Sequence, residues 1–373
     1  MALQRISLSI DEIEPGMTTG DFINAYSEDG LKVISIKPNT VLSQTSIERL
    51  KRHNVKEVKV VFELPSSRYG EDGIEIDAPP IKPMIDEGLK EEAVESIRSL
   101  FDIIGEGGNM TTAYQAVKEL DNVVEQLVDT ISSESNSFVH IADLKSYDEY
   151  TYHHSLSVAI LAIAIGQEMG FDAIQLKKLG QCAIMHDIGK TDVPSELINK
   201  PGRLTEEEFE IVKEHAERGG KYLRDVAIGD KDLWNIVSHH HEKIDGSGYP
   251  KGLKGNQIPL FSQIIAVADV YDAVTSFRAY RSPMSPADAI ELVMSEVGRS
   301  FVYDIVKAFV EKLEPYPVNT VVELTDKRLG VVIESTNSMR PILQMIDDDS
   351  TLDLMAMDNL HLIIERVLEP IEA

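Results

Sequence analysis

The run Gln181–Lys190, QCAIMHDIGK, carries an apolar stretch (Cys182, Ala183, Ile184, Met185) straight into His186-Asp187. A buried carboxylate is costly unless something neutralises it. A cation shared with a neutral imidazole does so. For these two residues alone, a hydrogen-bonded His–Asp pair in the core is the alternative. Four more of the ten histidines stand in similar settings. His154 opens the apolar HSLSVAILAIAIG, His215 follows the amphipathic EEEFEIVKE, and His240 and His241 precede Glu242. Asp269 lies inside the apolar PLFSQIIAVADVYDAV with no local partner of opposite charge, an expensive placement unless a partner comes from elsewhere. Histidine nitrogens and carboxylate oxygens suit Fe, Mn, Ni, Co or Zn. Five imidazoles and two carboxylates exceed the needs of one tetrahedral zinc and suit two metals with one bridging carboxylate. Two divalent ions about 3.5–4 Å apart are a standard device for phosphoester hydrolysis. The water between them loses its proton to become the nucleophile, and each ion neutralises phosphate charge as it builds.

Such residues need elements to hold them. From Tyr150 to about Leu313 the apolar residues recur at helical steps, predicting helices near 153–168, 173–187, 205–226, 231–242, 260–277 and 286–297. The loop 243–259, KIDGSGYPKGLKGNQIP, separates two of them. Upstream, Ala116, Val117, Leu120, Val123, Val124, Leu127, Val128 and Ile131 form a stripe that is either a buried helix face or a dimerising one. Residues 1–65 read as a small α/β module, with strands at Ile6–Ile10, Leu31–Ile36 and Val55–Val61 and a helix at Ser43–Arg52. Residues 66–82, SSRYGEDGIEIDAPPIK, have the composition of a linker. Beyond Tyr316-Pro317, β-prone runs at Thr320–Leu324, Gly330–Glu334, Ile342–Ile346 and Leu352–Met355 predict a small β domain over 316–373. Asp347-Asp348-Asp349 reads as a solvated turn. The expected class is mainly α: a helical domain over 83–315, flanked by an α/β module and a β domain.

A net charge of −27 on 373 residues argues against polyanionic partners such as nucleic acid polymers or anionic membranes. The richest apolar run, Val158–Ile165, is too short to cross a bilayer. The N-terminus, MALQRISLSIDEIEPGM, lacks a hydrophobic signal core, and the single Cys182 excludes an internal disulfide. The expected setting is the cytoplasm, with Cys182 a small core residue.

Five stretches identify a resemblance: YTYHHS (150–155), HDIGK (186–190), PSELINKPGRLTEEEFEIVKEH (194–215), HHEKIDGSGYPKGLKGNQIP (240–259) and ADVYDAVTSFRAYR (268–281). Together they resemble the HD-GYP family, a branch of the HD phosphohydrolases, over roughly residues 148–313. The resemblance implies metal ligands at His154, His186, Asp187, His215, His240, His241 and Asp269, with Asp187 as the bridging carboxylate. It implies that Lys190 and Arg278 meet substrate phosphates and that Tyr249 lines the nucleotide pocket. Lys and Arg are the natural phosphate donors. Gly246, Gly248 and Pro250 suit a loop that closes on a ligand. Residues 240–281 carry five basic side chains against four acidic ones, an exception in so acidic a chain. The chain departs from the family pattern at Tyr150, where some members carry a third-metal Glu (Glu149 is adjacent), at Ala279 within Arg278-Ala279-Tyr280, and at Gln263. His53, His140 and His361 read as surface or structural. His153 and His239 adjoin ligands, but a helix turns neighbours about 100° apart.

The implied function is a cyclic dinucleotide phosphodiesterase. Two divalent ions, Fe or Mn ahead of Ni, Co or Zn, would bridge a hydroxide that attacks cyclic di-GMP to yield pGpG and then GMP. Hybrid cyclic GMP-AMP is the nearest alternative substrate. A sensor or scaffold that binds a diguanylate cyclase (GGDEF) partner without turnover is the rival from another class, and di-iron redox chemistry is a third. A homodimer is one assembly the sequence allows.

Overall fold

Alternating strands at the two ends of the chain and unbroken helical periodicity between them separate two units, residues 83–315 and residues 1–82 with 316–373. The structure, a computed structural model, describes residues 3–20, 23–26, 32–53, 55, 57–63, 85–105, 110–133, 139–140, 150–198, 200, 202–276, 284–335, 339–348 and 350–370. The whole of the expected linker 66–82, Glu149, residues 277–281 and Asp349 lie outside them, as do the side chains of His140 and Tyr150.

The N-terminal part comprises β1 (Leu3–Ser9), β2 (Ile23–Tyr26), β3 (Lys32–Ile36), α1 (Gln44–Arg52) and β4 (Glu57–Glu63). Ser43 caps α1 by accepting from Ser46 N, and the expected Ile47 and Leu50 are buried. The helical unit follows with α2 (Glu87–Gly105), α3 (Met110–Ser133), β5 (Val139–His140), α4 (Tyr150–Glu168), α5 (Ala173–Ile184) and the single turn α6 (Ser195–Ile198). It continues through α7 (Glu206–Asp225), α8 (Lys231–Ser238), α9 (Leu260–Thr275), α10 (Pro286–Ser295), α11 (Tyr303–Lys312) and β6 (Leu313–Glu314). The tail adds β7 (Val321–Leu324), β8 (Leu329–Glu334), β9 (Ile342–Met345), β10 (Thr351–Asp353) and β11 (Ile364–Pro370). The class is mainly α, a helical unit accompanied by antiparallel sheet.

The two flanking segments, read as separate modules in the sequence, share one sheet of order β10-β9-β8-β7-β11-β1-β4, antiparallel throughout. One core joins them: Leu42, Leu50, Val58 and Val60 pack with Val321, Val331, Ile346 and Leu368. β11, Ile-Glu-Arg-Val-Leu-Glu-Pro, has no clean alternation, and its pairing with β7 and β1 makes it a strand. β2 is shorter, at four residues, and as weakly patterned.

In the helical unit α4 is buried without a break from His154 to Gly166. A helix apolar on every side needs covering on every side, and α2, α3, α5, α9 and α11 all pack against it. The stripe on α3 is buried within the chain apart from half-buried Val117, and α2, α4 and α5 cover that helix. Cys182 is buried, and burial pushes its thiol far up, so it stays protonated and inert. Among the described residues no helix is long and apolar enough to cross a membrane.

Two helices end earlier than their periodicity predicts. α5 stops at Ile184 with Met185 as its C-cap, and α8 stops at Ser238 with His239 as its C-cap. His186-Asp187 and His240-His241 therefore stand just past helix ends. Adjacent helical residues diverge, so leaving the helix is what lets each pair face one cavity.

Candidate metal centre

Four short histidine hydrogen bonds set up the chemistry. His186 Nδ1 lies 2.6 Å from Ala183 O, His215 Nδ1 2.6 Å from Val212 O, and His240 Nδ1 2.7 Å from Val237 O. His154 Nδ1 lies 2.6 Å from Asp272 Oδ2. A carbonyl only accepts, so Nδ1 of the first three histidines carries the proton and Nε2 presents a lone pair. The contact with the Asp272 carboxylate fixes the same tautomer at His154, which is the usual preparation of an imidazole for a metal.

The Nε2 atoms converge on two carboxylates. Asp187 turns its oxygens in two directions. Oδ1 lies 3.3 Å from His215 Nε2 and 4.0 Å from His240 Nε2, and Oδ2 lies 3.3 Å from His186 Nε2 and 3.6 Å from His154 Nε2. Asp269 lies 3.2 Å from His154 Nε2 through Oδ1 and 3.7 Å from His241 Nδ1 through Oδ2. His241 Nε2 is 3.2 Å from His215 Nε2. Asp187, His215, His240 and His241 thus form one group with ligand atoms within 4.8 Å of one another, and His154, His186 and Asp269 form a second.

Electrostatics match a cation site. Burial works to raise Asp187, but His186 and Lys190 hold it well below the usual carboxylate range. Burial opposes Asp269 likewise, and hydrogen bonding and charge from His154 keep it ionised. Burial drives His240 well down and His241 to about 3, so both are neutral donors at ordinary pH. At His154 burial is outweighed by Asp269 and Asp272, which raise the imidazole to about 9.

The connection α8–α9 covers this cavity. Buried Glu242 accepts from Lys251 N at 2.7 Å and Leu253 N at 2.9 Å, which folds the loop back on itself. A Cβ on Gly248 would lie 2.3 Å from Lys243 N, so only glycine fits that fold. Tyr249 N donates to His241 O at 3.2 Å, and the phenol ring lies on the His241 imidazole with centroids 4.7 Å apart and planes at 33°. Burial and the charges of Asp269 and Asp187 push the Tyr249 phenol up, so it stays protonated. Lys190, in the 3-10 turn Ile188–Asp192, donates to Asp187 Oδ2. On the far side Gly189 lets α7 approach: a Cβ there would sit 2.0 Å from His215 O.

All seven sequence-expected ligands fall in the two groups, with Lys190 and Tyr249 beside them. Arg278 lies outside the described residues. Asp272 and Glu242 were not singled out in the sequence. Asp272 repeats the signal of Asp269, a carboxylate in an apolar helix, three residues further along the same face. Glu242 carries no such signal, because its partners are backbone amides.

The donor set fits divalent metal ions. The residues offer imidazole nitrogens and two ionised carboxylates, and among the described residues His186 Nε2 is buried with no hydrogen-bond partner. Nitrogen and oxygen donors of this kind suit first-row metals.

Comparisons with known proteins agree. Residues 131–305 match the family described as HD domain. A cyclic di-GMP phosphodiesterase of Pseudomonas aeruginosa is 33% identical over 308 residues, 78% of this chain and 73% of that protein. A 3'3'-cGAMP-specific phosphodiesterase of Vibrio cholerae is 37% identical over 183 residues, 48% of this chain and 42% of that protein. A cyclic di-GMP phosphodiesterase of Thermotoga maritima is 39% identical over 168 residues, 45% of each chain. The chain therefore spans most of the first relative and under half of the other two. The histidine and aspartate pattern, the helical fold that gathers it and the extent of the match to the Pseudomonas protein together place this chain in the HD-GYP family of HD-domain proteins.

Proposed function

We propose that this chain is a metal-dependent phosphodiesterase that hydrolyses a cyclic dinucleotide, with cyclic di-GMP as substrate and pGpG or GMP as product. The observation that carries the reading is Asp187, whose two oxygens face the two donor groups. His154, His186 and Asp269 would hold one ion, His215, His240 and His241 the other, and Asp187 would bridge them. Fe and Mn are the metals we put first, and the donors, all nitrogen and oxygen, also suit Ni, Co or Zn. When bound, the ions supply Lewis acidity and a nucleophile at neutral pH.

The chain's own residues do the rest. Asp272 fixes the tautomer of His154 and Lys190 brings an ammonium against the phosphate oxygens. The protonated Tyr249 walls the cavity, and Glu242 holds the covering loop in place. These groups orient a phosphodiester and neutralise the charge that develops as the leaving 3′ oxygen departs. The names of the Pseudomonas and Thermotoga relatives favour cyclic di-GMP, and that of the Vibrio relative keeps hybrid cyclic GMP-AMP as a second substrate.

Anaerobically purified protein reconstituted with Fe or Mn should convert cyclic di-GMP to a linear product separable by chromatography. His186→Ala should abolish conversion. Metal-loaded wild-type protein inert toward both dinucleotides would remove this reading and leave the sensor.

A further inference from the structure

On α7, six residues before His215, Phe209 stands out in the solvent, 44% exposed. Single exposed apolar residues are ordinary, and its company is what sets this one apart. Its ring meets Tyr249 edge-on, centroids 6.3 Å apart and planes at 83°. Lys213, one turn further along α7, places its ammonium 4.8 Å from the Phe209 centroid and 5.6 Å from that of Tyr249. Tyr249 in turn lies on His241. An aromatic pair with a cation beside it therefore leads from solvent to one donor group of the metal centre.

The arrangement is rigidly presented. Thr205 and Glu208 form a capping box at the start of α7, and Lys200 clamps Glu208 with contacts of 2.8 and 2.6 Å. Lys213 is steadied by Glu210 at 2.6 Å. The helix turn that carries Phe209 is thus fixed while the residue stays partly open to solvent. Core packing gives no reason for an aromatic there.

We infer that Phe209, Lys213 and Tyr249 form a purine subsite beside the metal centre, with chemistry that selects guanine. This rests on the cyclic dinucleotide reading and extends it from phosphate to base. A purine offers a flat π-face to the ring of Phe209 and, because the two rings stand at 83°, its edge to that of Tyr249. An ammonium only donates. Guanine offers two acceptors, O6 and N7, on one edge, whereas adenine offers N7 beside an amino donor. Lys213 therefore satisfies guanine and meets an unfavourable donor on adenine. The base of one nucleotide would rest here while its phosphate lies at the metals.

The test compares cyclic di-GMP, cyclic di-AMP and bis(p-nitrophenyl) phosphate, a diester without a base, on metal-loaded full-length protein. Phe209→Ala should raise KM for cyclic di-GMP about tenfold, with a smaller effect on kcat, and the loss on the dinucleotide should exceed that on the base-free diester. Phe209→Trp should restore the KM, and Phe209→Leu, apolar without a π-face, should not. Lys213→Met should lower the preference for cyclic di-GMP over cyclic di-AMP several-fold. Equal losses on dinucleotide and base-free diester, rescue by Phe209→Leu, or an unaltered KM in Phe209→Ala would each overturn the subsite. Wild-type protein that cleaves the base-free diester but no cyclic dinucleotide would overturn the functional reading itself, and the subsite with it.

Discussion

Asp272 shows how much of this centre depends on a residue that would touch no metal. Its carboxylate holds His154 Nδ1 at 2.6 Å and so commits the opposite nitrogen to the cavity. Asp272→Ala should weaken metal binding about 10–100-fold, read by competition with a chelator. Unchanged affinity would mean that His154 orients itself. The same imidazoles predict a pH profile for the metal-free protein. An unfolded histidine titrates at about 6.5, while burial holds His241 to about 3 in the fold. Between those values unfolding takes up a proton, so stability rises with pH and is lost as pH falls, by about 1.4 kcal/mol per unit for each such group. His154, raised to about 9, acts in the opposite sense. Its contribution is complete below about 6.5 and is lost as pH rises toward 9. Urea unfolding of metal-free protein should therefore show greatest stability near pH 6.5, with losses at pH 5 and pH 9. Asp187 and Asp269 were legible in the sequence because a carboxylate in an apolar run is conspicuous, and the full set of seven donors followed from the family resemblance. The tautomers were not, since Ala183, Val212 and Val237 act through carbonyls that every residue possesses.

Helices α5 and α8 both break where the chemistry begins. Periodicity carries each past its end, to 187 and 242, because Ile184-Met185 and Ile236-Val237 are good helical neighbours and the cause of the break is tertiary. His186-Asp187 and His240-His241 gain a common cavity by leaving the helix, and the centroids of His240 and His241 come within 4.1 Å. Close approach has the same hidden origin. Gly189 faces His215 O across a gap that no side chain could enter, yet in the sequence it is one of 23 glycines. The loop over the site depends on Glu242, the acceptor for two of its amides. Glu242→Ala should leave both donors unpaired, at about 1–3 kcal/mol each if they stay buried. Hydrogen exchange at Lys251 and Leu253 should then accelerate markedly. Protection equal to wild type would show that the loop is held by other bonds.

Across the whole chain, the two ends build one unit around a common sheet. Each half looked self-sufficient in sequence, since alternation reports which strands exist and not which ones pair. The joining strand, β11, carries Glu365, Arg366 and Glu369 and ends in a proline, a pattern that hides it. Removing residues 316–373 should strip β1 of its β11 edge and uncover Val58 and Val60. Hydrogen exchange in β1 should then lose its protection, and retained protection would mean that β1 and β4 suffice. The central claim, that seven side chains gathered from five segments of the helical unit hold two ions through a shared Asp187, has one most direct test. It is metal content by mass spectrometry after loading with Fe or Mn and desalting. Wild-type protein should retain two ions per chain, and Asp187→Ala should lose at least one of them. Wild-type protein without retained metal, or a content that Asp187→Ala leaves unaltered, would contradict the shared centre.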